Sequence, residues 1–563
     1  MVRKILALIY KGFLDREVNS LNSAALLLGF FSLISQVAGF LRDRLLAHRF
    51  GAGESLDIYY AAFRLPDFLF VSVASVVSLS VLIPFIIEKD KQGGRELRAF
   101  IDSVFTFFSL LITASALVCF FFMPVLSRFF FQGFSPEALD QVIFLSRLLL
   151  LSPVLLGLSN LFGSLSQAYS RFAIYAIAPI LYNLGIIAGI ILFSSEMGVL
   201  GVVLGVILGA LMHLLVQVPL VYKLRLLPRL FGSAFDWSLI KSVVRISLPR
   251  TLTLSMSALT LLILTAIASN FAPGSVSVLT LSNNLQAVSL SLIGVSYSLA
   301  AFPTLTRKWQ EKDLPAFIEQ MQISSRFIIF WSLPLSALLV VLRAQIVRVL
   351  LGSGLFDWQA TRLTAAALAL FVISSLFQSL LLLFMRGFYS AGLTRKPFVI
   401  NLFSTLVLLL GTYGLVSLFT RFSGFSYFIL SLLKVEDLSN SVILMLPLGF
   451  SLGTILNVVL LWRAFEREFP GYSQGLSRTL FEGVGASVVM GATSYGALQI
   501  FSRFLDVDTF LGIFLQGFLS ALLGIAMAVL ILILLKSREL KSVWQSLRGV
   551  SRAEVIATDP EIV

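Results

Sequence analysis

Fourteen long apolar blocks constrain this chain more than any other feature. They run near 22–46, 58–87, 99–124, 140–168, 172–194, 198–222, 240–270, 276–305, 316–350, 360–390, 397–420, 440–463, 478–501 and 510–535. Each is long enough to cross a bilayer as a helix, which takes about 20 residues. In lipid every backbone polar group needs an internal partner, so spanning elements are helices or closed barrels. Barrel strands need only about 10 residues, so blocks of this length predict helices. The expected fold class is therefore an all-α polytopic membrane protein of about fourteen transmembrane helices.

Charge sits between the blocks. Only 13% of the 563 residues are charged, yet the net charge is +13. A soluble domain carries nearer a quarter charged residues. The excess cations fall in alternate loops: Arg3, Lys4, Lys11 and Arg16; Lys89, Lys91, Arg95 and Arg98; Lys223, Arg225 and Arg229. The set continues with Arg307, Lys308 and Lys312, then Arg395 and Lys396, Arg463 and Arg467, and Lys536, Arg538 and Lys541. The intervening loops "SSEMG", "NFAPGS" and "GSGLFDW" are poor in cations. The positive-inside rule makes the basic set cytoplasmic and puts both termini inside. The positive charge is thereby assigned to topology rather than to nucleic acid. Residues 1–21 read as a retained cytoplasmic lead-in, since Lys11 and Asp15 interrupt the short apolar run and no cleavage site follows. A single cysteine, Cys119, excludes an intrachain disulfide. Two histidines far apart, His48 and His213, do not suggest a metal centre.

An internal repeat organises the blocks. "FGAG" at 50–53 and "FAPG" at 271–274 each precede a span ending in proline, Pro84 and Pro303. The glycines are offset by 221 (274 − 53), the prolines by 219 (303 − 84), and "AYS" against "FYS" by 220 (388 − 168). Both glycine turns fall on the outer side, so the repeats are parallel, as in some transporters. The reading is two six-helix lobes, 22–222 and 240–463, joined by a cytoplasmic linker at 223–239. Two further helices at 464–535 and a cytoplasmic tail at 536–563 follow.

Polar residues inside the blocks mark the candidate site. Ser32, Ser35, Gly39 and Arg42 share one face of the first helix, widened by Gln36 and Asp43. Thr280, Asn284, Ala287, Ser291, Gly294, Ser298 and Ala301 follow 4,3,4,3,4,3 along the eighth. Tight packing through small residues is the structural alternative, strongest for the eighth helix. Arg42, Asp43, Asp57 and Arg64 lie in or beside the first two helices, Arg245 and Arg250 lie beside Pro249, and Arg147 and Arg386 sit in later blocks. An arginine at mid-membrane costs a few kcal/mol even on insertion scales, about 2.5–3.5. These charges are either internal salt bridges or a cationic cavity for an anion, since guanidinium matches phosphate oxygens. Gly201, Gly205 and Gly209 have helix-packing spacing. Gly39, Gly51, Gly53, Pro66, Pro84, Gly294 and Pro303 are candidate hinge or packing positions.

Gly-Lys never occurs, so the Walker ATP-binding loop is absent, and no His/Cys/Asp catalytic set is evident. No enzyme activity, cofactor or metal is expected.

The sequence then resembles the MurJ (MviN) lipid II flippase family of the multidrug/oligosaccharidyl-lipid/polysaccharide exporter superfamily. The matching residues are Ser35, Gly39, Arg42 and Asp43, Phe50-Gly51-Ala52-Gly53, Asp57, and Ala62-Phe63-Arg64-Leu65-Pro66. Pro84, "GVSYSLAAFPTLTR", "GSGLFD" and "RGFYSAGLTRKPF" extend the resemblance. It implies a lipid-tail groove on the last two helices and arginines that hold a diphosphate. Several of those arginines are replaced here: Gln36, Phe70, Val71 and Asn284 stand at their positions, and Ser75-Val76-Val77 replaces Glu-Gly-Ala. Arg42 remains, with Arg64 at a Lys/Arg position.

The expected function is translocation of lipid II, an undecaprenyl-diphosphate-linked peptidoglycan precursor, across the bacterial inner membrane by alternating access. Ser35, Gln36, Arg42, Asp43, Asp57, Arg64, Arg245, Arg250 and Asn284 are the expected cavity residues. Three alternatives stay open: another polyprenyl-diphosphate sugar, cation-coupled drug efflux with Asp43 or Asp57 as the acidic group, or a non-transporting scaffold for cell-wall proteins. The coupling ion, Na+ or H+, is left open. Membrane lipids are expected partners, nucleic acid is not, and a monomer is expected.

Overall fold

The computed structural model describes residues 21–74, 79–230 and 235–547, and all the described regular structure is helical. The first elements are α1 (Leu21–Phe50), α2 (Glu54–Ala74), α3 (Leu79–Gln92) and α4 (Gly94–Phe130). Next come α5 (Pro136–Leu149), α6 (Leu151–Ala168), α7 (Phe172–Ala188), α8 (Val199–Leu215), α9 (Val218–Lys223) and α10 (Trp237–Ala268). The chain continues with α11 (Ser275–Ser289), α12 (Ser296–Gln310), α13 (Leu314–Val341), α14 (Arg343–Leu350), α15 (Trp358–Val372) and α16 (Ser375–Ser390). It ends with α17 (Arg395–Arg421), α18 (Ser423–Leu433), α19 (Met445–Glu468), α20 (Leu476–Phe501), α21 (Phe510–Leu534) and α22 (Arg538–Leu547).

Eleven described helices are long and apolar enough to cross a membrane singly. The pair α15–α16, bent by 42° at a short break, makes a twelfth. The charge-bearing α1 and the α2–α3 segment account for the other two expected blocks, so the fold is compatible with fourteen spans. Local chemistry sets the boundaries. Ser135 caps α5 by accepting from Ala138 N, with Pro136 in the first turn. Asp313 and Thr509 cap α13 and α21 in the same way. Two spans are interrupted by π-helical turns, Gly189–Phe193 after α7 and Leu290–Val295 between α11 and α12.

The chain divides into two compact units, Met1–Ser277 with Ser353–Asp357, and Val278–Gly352 with Trp358–Val563. Inside the first, α10 packs along α2. The repeat puts this helix at the start of a second lobe, whereas its packing places it in the first unit. The first unit's core joins Leu82, Phe100, Phe108, Phe162 and Ile240. The second unit's core is built on Phe317, Phe384, Phe388, Phe465 and Tyr472.

Between lipid-embedded helices, close packing rather than water exclusion supplies the attraction. The Gly201/Gly205/Gly209 ridge of α8 supplies it directly. A Cβ on Gly205 would lie 2.7 Å from Gly189 Cα, and one on Gly209 would lie 2.3 Å from the Tyr182 carbonyl oxygen. The packing reading of that motif holds.

Two elements had no counterpart in the sequence reading. One is α18, which exposes Tyr427, Phe428 and Leu432. The other is α22, in the stretch read as a plain tail. The lead-in through residue 20, Ser75-Val76-Val77 and the tail beyond residue 547 lie outside the described residues.

Candidate functional site

The elbow between α1 and α2 is fixed by backbone geometry. Gly51 has φ +63°, a left-handed conformation that costs a side chain roughly 1–2 kcal/mol. A Cβ there would sit 2.6 Å from the Leu355 carbonyl oxygen. Gly354 faces His48 with similar intimacy, and Leu355 N donates to His48 O at 3.0 Å. Gly274, at φ +95°, would put a Cβ 2.3 Å from Ala52 O. Three motifs that the sequence presents separately, "FGAG", "FAPG" and "GSGLFD", thus close into one knot within the first unit.

Asp57 is the polar centre of that knot. Its Oδ2 accepts from Gly274 N at 2.7 Å. Its Oδ1 accepts from Ser277 N at 2.7 Å and Ser277 Oγ at 2.6 Å. The residue is 3% exposed. A carboxylate filled by three short donors is satisfied without a cationic partner. Asp57 therefore staples the second glycine turn to the start of α2, and it does not meet Arg42 or Arg64 as an ion pair.

Arg42 sits differently. Its Nε and Nη2 donate to Asp43 Oδ1 at 2.9 and 2.8 Å, and its Nη1 donates to Asn183 Oδ1 at 3.0 Å. Asn183 is tied back by its Nδ2 to the Ser35 carbonyl at 3.4 Å and to the Pro179 carbonyl at 3.2 Å. Ser35, Arg42 and Asp43 of α1 therefore meet α7 at Asn183. Tyr59 and Tyr60 of α2 are within electrostatic reach of the guanidinium, and the buried Tyr60 hydroxyl has no partner among the described residues. A guanidinium has five N–H donors. Three are engaged here, and the Arg42 side chain keeps 24% of its surface exposed while Asp43 keeps 6%. The arrangement offsets part of the cost of burying Arg42 and leaves donor capacity for an incoming anion.

The other expected residues scatter. Arg64 Nε donates to Thr265 Oγ1 of α10 at 2.8 Å, two turns along α2 from Asp57. Gln36 is half-buried on α1, one residue from Ser35. Arg245 on α10 is exposed, and the Arg250 side chain lies outside the described residues. Arg147 donates to Phe120 O at 3.1 Å and lies over the Phe120 ring, a local role. Gly39 and Gly53 have no close neighbour: a Cβ on Gly39 meets nothing within 4 Å, and one on Gly53 only Phe50 O at 3.7 Å. Pro66 is buried within α2, while Pro84 and Pro303 are exposed on α3 and α12.

In the second unit, Thr280 is buried, Asn284 and Ser291 are half-buried and Ala287 is exposed, whereas Gly294, Ser298 and Ala301 are all buried. The π turn at Leu290–Val295 explains the split, because it adds a residue per turn and breaks the 3.6 spacing. A Cβ on Gly294 would lie 2.8 Å from Ser379 Cα, so the inner half of that stripe packs α16. Asn183 is the residue the sequence reading missed. It stands alone in an apolar block, "YNLGIIAG", with no periodic partner; the only signal was a lone amide at membrane depth.

Known proteins locate this geometry. A profile of the family described as "Lipid II flippase MurJ" matches residues 46–516. A lipid II flippase MurJ of Burkholderia cenocepacia is 26% identical over 473 residues, covering 82% of this chain and 87% of its own length. A probable lipid II flippase MurJ of Thermotoga maritima is 28% identical over 371 residues, covering 66% of this chain and 74% of the relative. Among solved structures, "Lipid II flippase MurJ, inward closed conformation" superposes with TM-score 0.70 at 21% identity, covering 90% of this chain and all of the other. An inward-facing multidrug resistance MATE family transporter of the MOP superfamily follows with TM-score 0.64 at 14% identity, covering 78% of this chain and 96% of the other. The profile spans most of the chain, and the fold agrees with it: this protein is a multi-span membrane protein that belongs to the MurJ lipid II flippase family.

Proposed function

We propose that the protein translocates lipid II, with the Arg42–Asp43–Asn183 cluster receiving the diphosphate. The observation that carries this reading is the guanidinium of Arg42, held on one side by Asp43 and Asn183 with N–H donors to spare. A diphosphate crossing an apolar core needs its charge met by fixed donors, because an unpaired buried charge is prohibitively costly. Bidentate donation from Arg42 supplies part of that, while the polyprenyl tail stays in lipid. Asp43 is the partner of Arg42 in this arrangement, and the incoming phosphate competes with it. Alternating exposure of this cluster to the two membrane surfaces would carry the head group outward, a transport role with no chemical step.

A second reading has one specific observation behind it. The resemblance leads to arginines where Gln36, Phe70, Val71 and Asn284 stand, so the site carries less positive charge than the family pattern implies. Another polyprenyl-diphosphate sugar with a different head group fits that change. Placement in the bacterial inner membrane with both termini cytoplasmic, a monomeric state, association with cell-wall synthesis proteins and coupling to Na+ or H+ belong to the same proposal.

Complementation of a bacterium depleted of its lipid II flippase tests it. Growth with the wild-type chain and loss of growth with Arg42→Ala at equal expression is the expected outcome. No growth with well-expressed wild type would shift the assignment to the second reading. Growth with Arg42→Ala would remove Arg42 from the site.

A further inference from the structure

The C-terminal helix α22 carries a surface that the transport reading does not use. It begins immediately after α21, one of the apolar membrane helices. The turn between them is sharp: Lys536 has φ +51°, Lys536 N donates to Ile533 O at 3.0 Å, and Ser537 N donates to Leu532 O at 2.9 Å. A left-handed residue with these paired bonds is the usual way to end a helix and redirect the chain.

One face of α22 is then fixed on the bundle. Glu539 is 6% exposed, and its carboxylate accepts from Thr479 Oγ1 at 2.9 Å and from Ser537 Oγ at 3.3 Å. Leu540 and Val543 pack against the cluster of Phe330, Ala486, Met490, Ala528 and Leu532, contributed by α13, α20 and α21. The turn and the Thr479 contact hold the helix beside the end of α21 and the start of α20, and it does not extend α21.

The opposite face is exposed and of one sign. Arg538, Lys541 and Trp544 recur every third residue and are all exposed, with Lys536 beside them. Arg478, on the neighbouring end of α20, donates to Glu482 at 2.7 Å and to Lys536 O at 3.5 Å. Among the described residues, the acidic groups of this corner, Glu482 and Glu539, are buried and already engaged. Among the described residues, the exposed side chains of this face are cationic plus one indole. Immediately before the turn, Ile533 and Leu534 are 57% and 68% exposed on the membrane-spanning helix. The cationic face therefore begins within a few residues of lipid-facing side chains, at headgroup depth, where tryptophan and basic residues are favoured.

We propose that the outward face of α22 is a binding site for anionic phospholipid headgroups, with Lys536, Arg538 and Lys541 meeting the phosphates and Trp544 seated at the headgroup boundary. The occupant follows from charge complementarity and from continuity with the lipid-facing surface of α21. A convex helix face offers no pocket for a soluble anion. Each such cation near an acidic bilayer surface strengthens binding by about fivefold. The site would hold acidic lipid against the ends of α20 and α21. It does not depend on which lipid-linked sugar is transported.

The test uses full-length protein in nanodiscs of phosphatidylcholine with or without phosphatidylglycerol. Lipid retained after extraction is counted by native mass spectrometry. The wild type should retain phosphatidylglycerol in preference to phosphatidylcholine. The triple variant Lys536→Gln/Arg538→Gln/Lys541→Gln should lose that preference on the order of a hundredfold. The charge-preserving variant Lys536→Arg/Arg538→Lys/Lys541→Arg should keep it. Quenching by brominated phosphatidylglycerol, read as the difference between wild type and Trp544→Phe, should disappear in the triple variant. In wild type, added salt should weaken the preference. Equal retention of both lipids by the wild type, or an unchanged preference in the triple variant, would overturn the proposal. So would one-for-one displacement of the phosphatidylglycerol by a polyprenyl diphosphate. None of these readouts requires transport, so the proposal can fail while the flippase reading stands.

Discussion

Asp57 and Arg42 lie fifteen residues apart (57 − 42), one on each side of the α1–α2 elbow, and the fold uses them in opposite ways. Asp57 is saturated: three donors from the 274–277 turn fill its carboxylate, and almost none of it is exposed. Arg42 is pinned but unsaturated, and about a quarter of its side chain is accessible. The same signal, charge at membrane depth, therefore marks a saturated structural staple at one position and a group with donors to spare, the one proposed to bind, at the other. The difference is whether the partners use up the group's hydrogen-bonding capacity. An intramembrane charge is a functional candidate by default, but that default holds only for a group with capacity left over.

Substitutions in the staple should damage folding, and those around Arg42 should damage ligand recognition. The largest effect should come from Gly274→Val, which forces a branched side chain into a left-handed backbone against Ala52 O. Strain and overpacking together predict a loss of roughly 3–5 kcal/mol, read as a collapse in the yield of monodisperse protein and in its Tm. Next, Asp57→Ala should lower stability by about 2–4 kcal/mol, because two buried backbone N–H groups lose their acceptor. Thermal unfolding of the purified protein checks it, and ligand affinity of whatever remains folded should be near that of wild type. A normal Tm for Asp57→Ala would break the contrast.

Asn183→Ala should be milder, weakening binding by about threefold to tenfold, less than the roughly 1.5–3 kcal/mol of a hydrogen bond to a charged group because it acts only through Arg42. Because Asn183 positions Arg42 and does not itself meet the phosphate in this account, its effect should vanish in an Arg42→Gln background. A double-mutant cycle measures that coupling. Additive losses would make Asn183 an independent ligand. The smallest effect belongs to Gly39→Ala, where the added methyl meets nothing. Mid-helix alanine should be neutral or stabilising by about 0.5–1 kcal/mol, with transport unchanged. A large loss of transport would show that Gly39 moves against a neighbour during the cycle.

The fold was largely legible in the sequence because bilayer length and apolar composition leave few choices. The expected 172–194 and 478–501 spans, for example, appear as a helical run ending at Met197 and as Leu476–Phe501. What escaped were departures from regular period. The π turn at Leu290–Val295 divides a stripe that reads as continuous under 3.6 spacing. The break in α15–α16 lies inside one apolar block. The short α18 and α22 lack the length that signals a span. For the site, α1 identified Ser35, Arg42 and Asp43 correctly as neighbours, because residues on one helix face must be close. Asn183 comes from 141 residues further along the chain (183 − 42), and nothing local to "YNLG" says which helix it will meet. The role of Asp57 was hidden for the same reason: two of its three donors are backbone N–H groups, which every residue but proline carries.

The most direct test is binding of a lipid-linked sugar diphosphate to purified, folded protein, comparing wild type, Arg42→Gln and Asp57→Asn at matched Tm-corrected folded fractions. Arg42→Gln should weaken binding by about tenfold to a hundredfold, the value of charge-assisted hydrogen bonds to one phosphate. Asp57→Asn, corrected for folding, should leave affinity within about threefold of wild type, the error expected of a residue outside the site. Wild-type affinity in Arg42→Gln together with a large loss in Asp57→Asn would contradict this contrast.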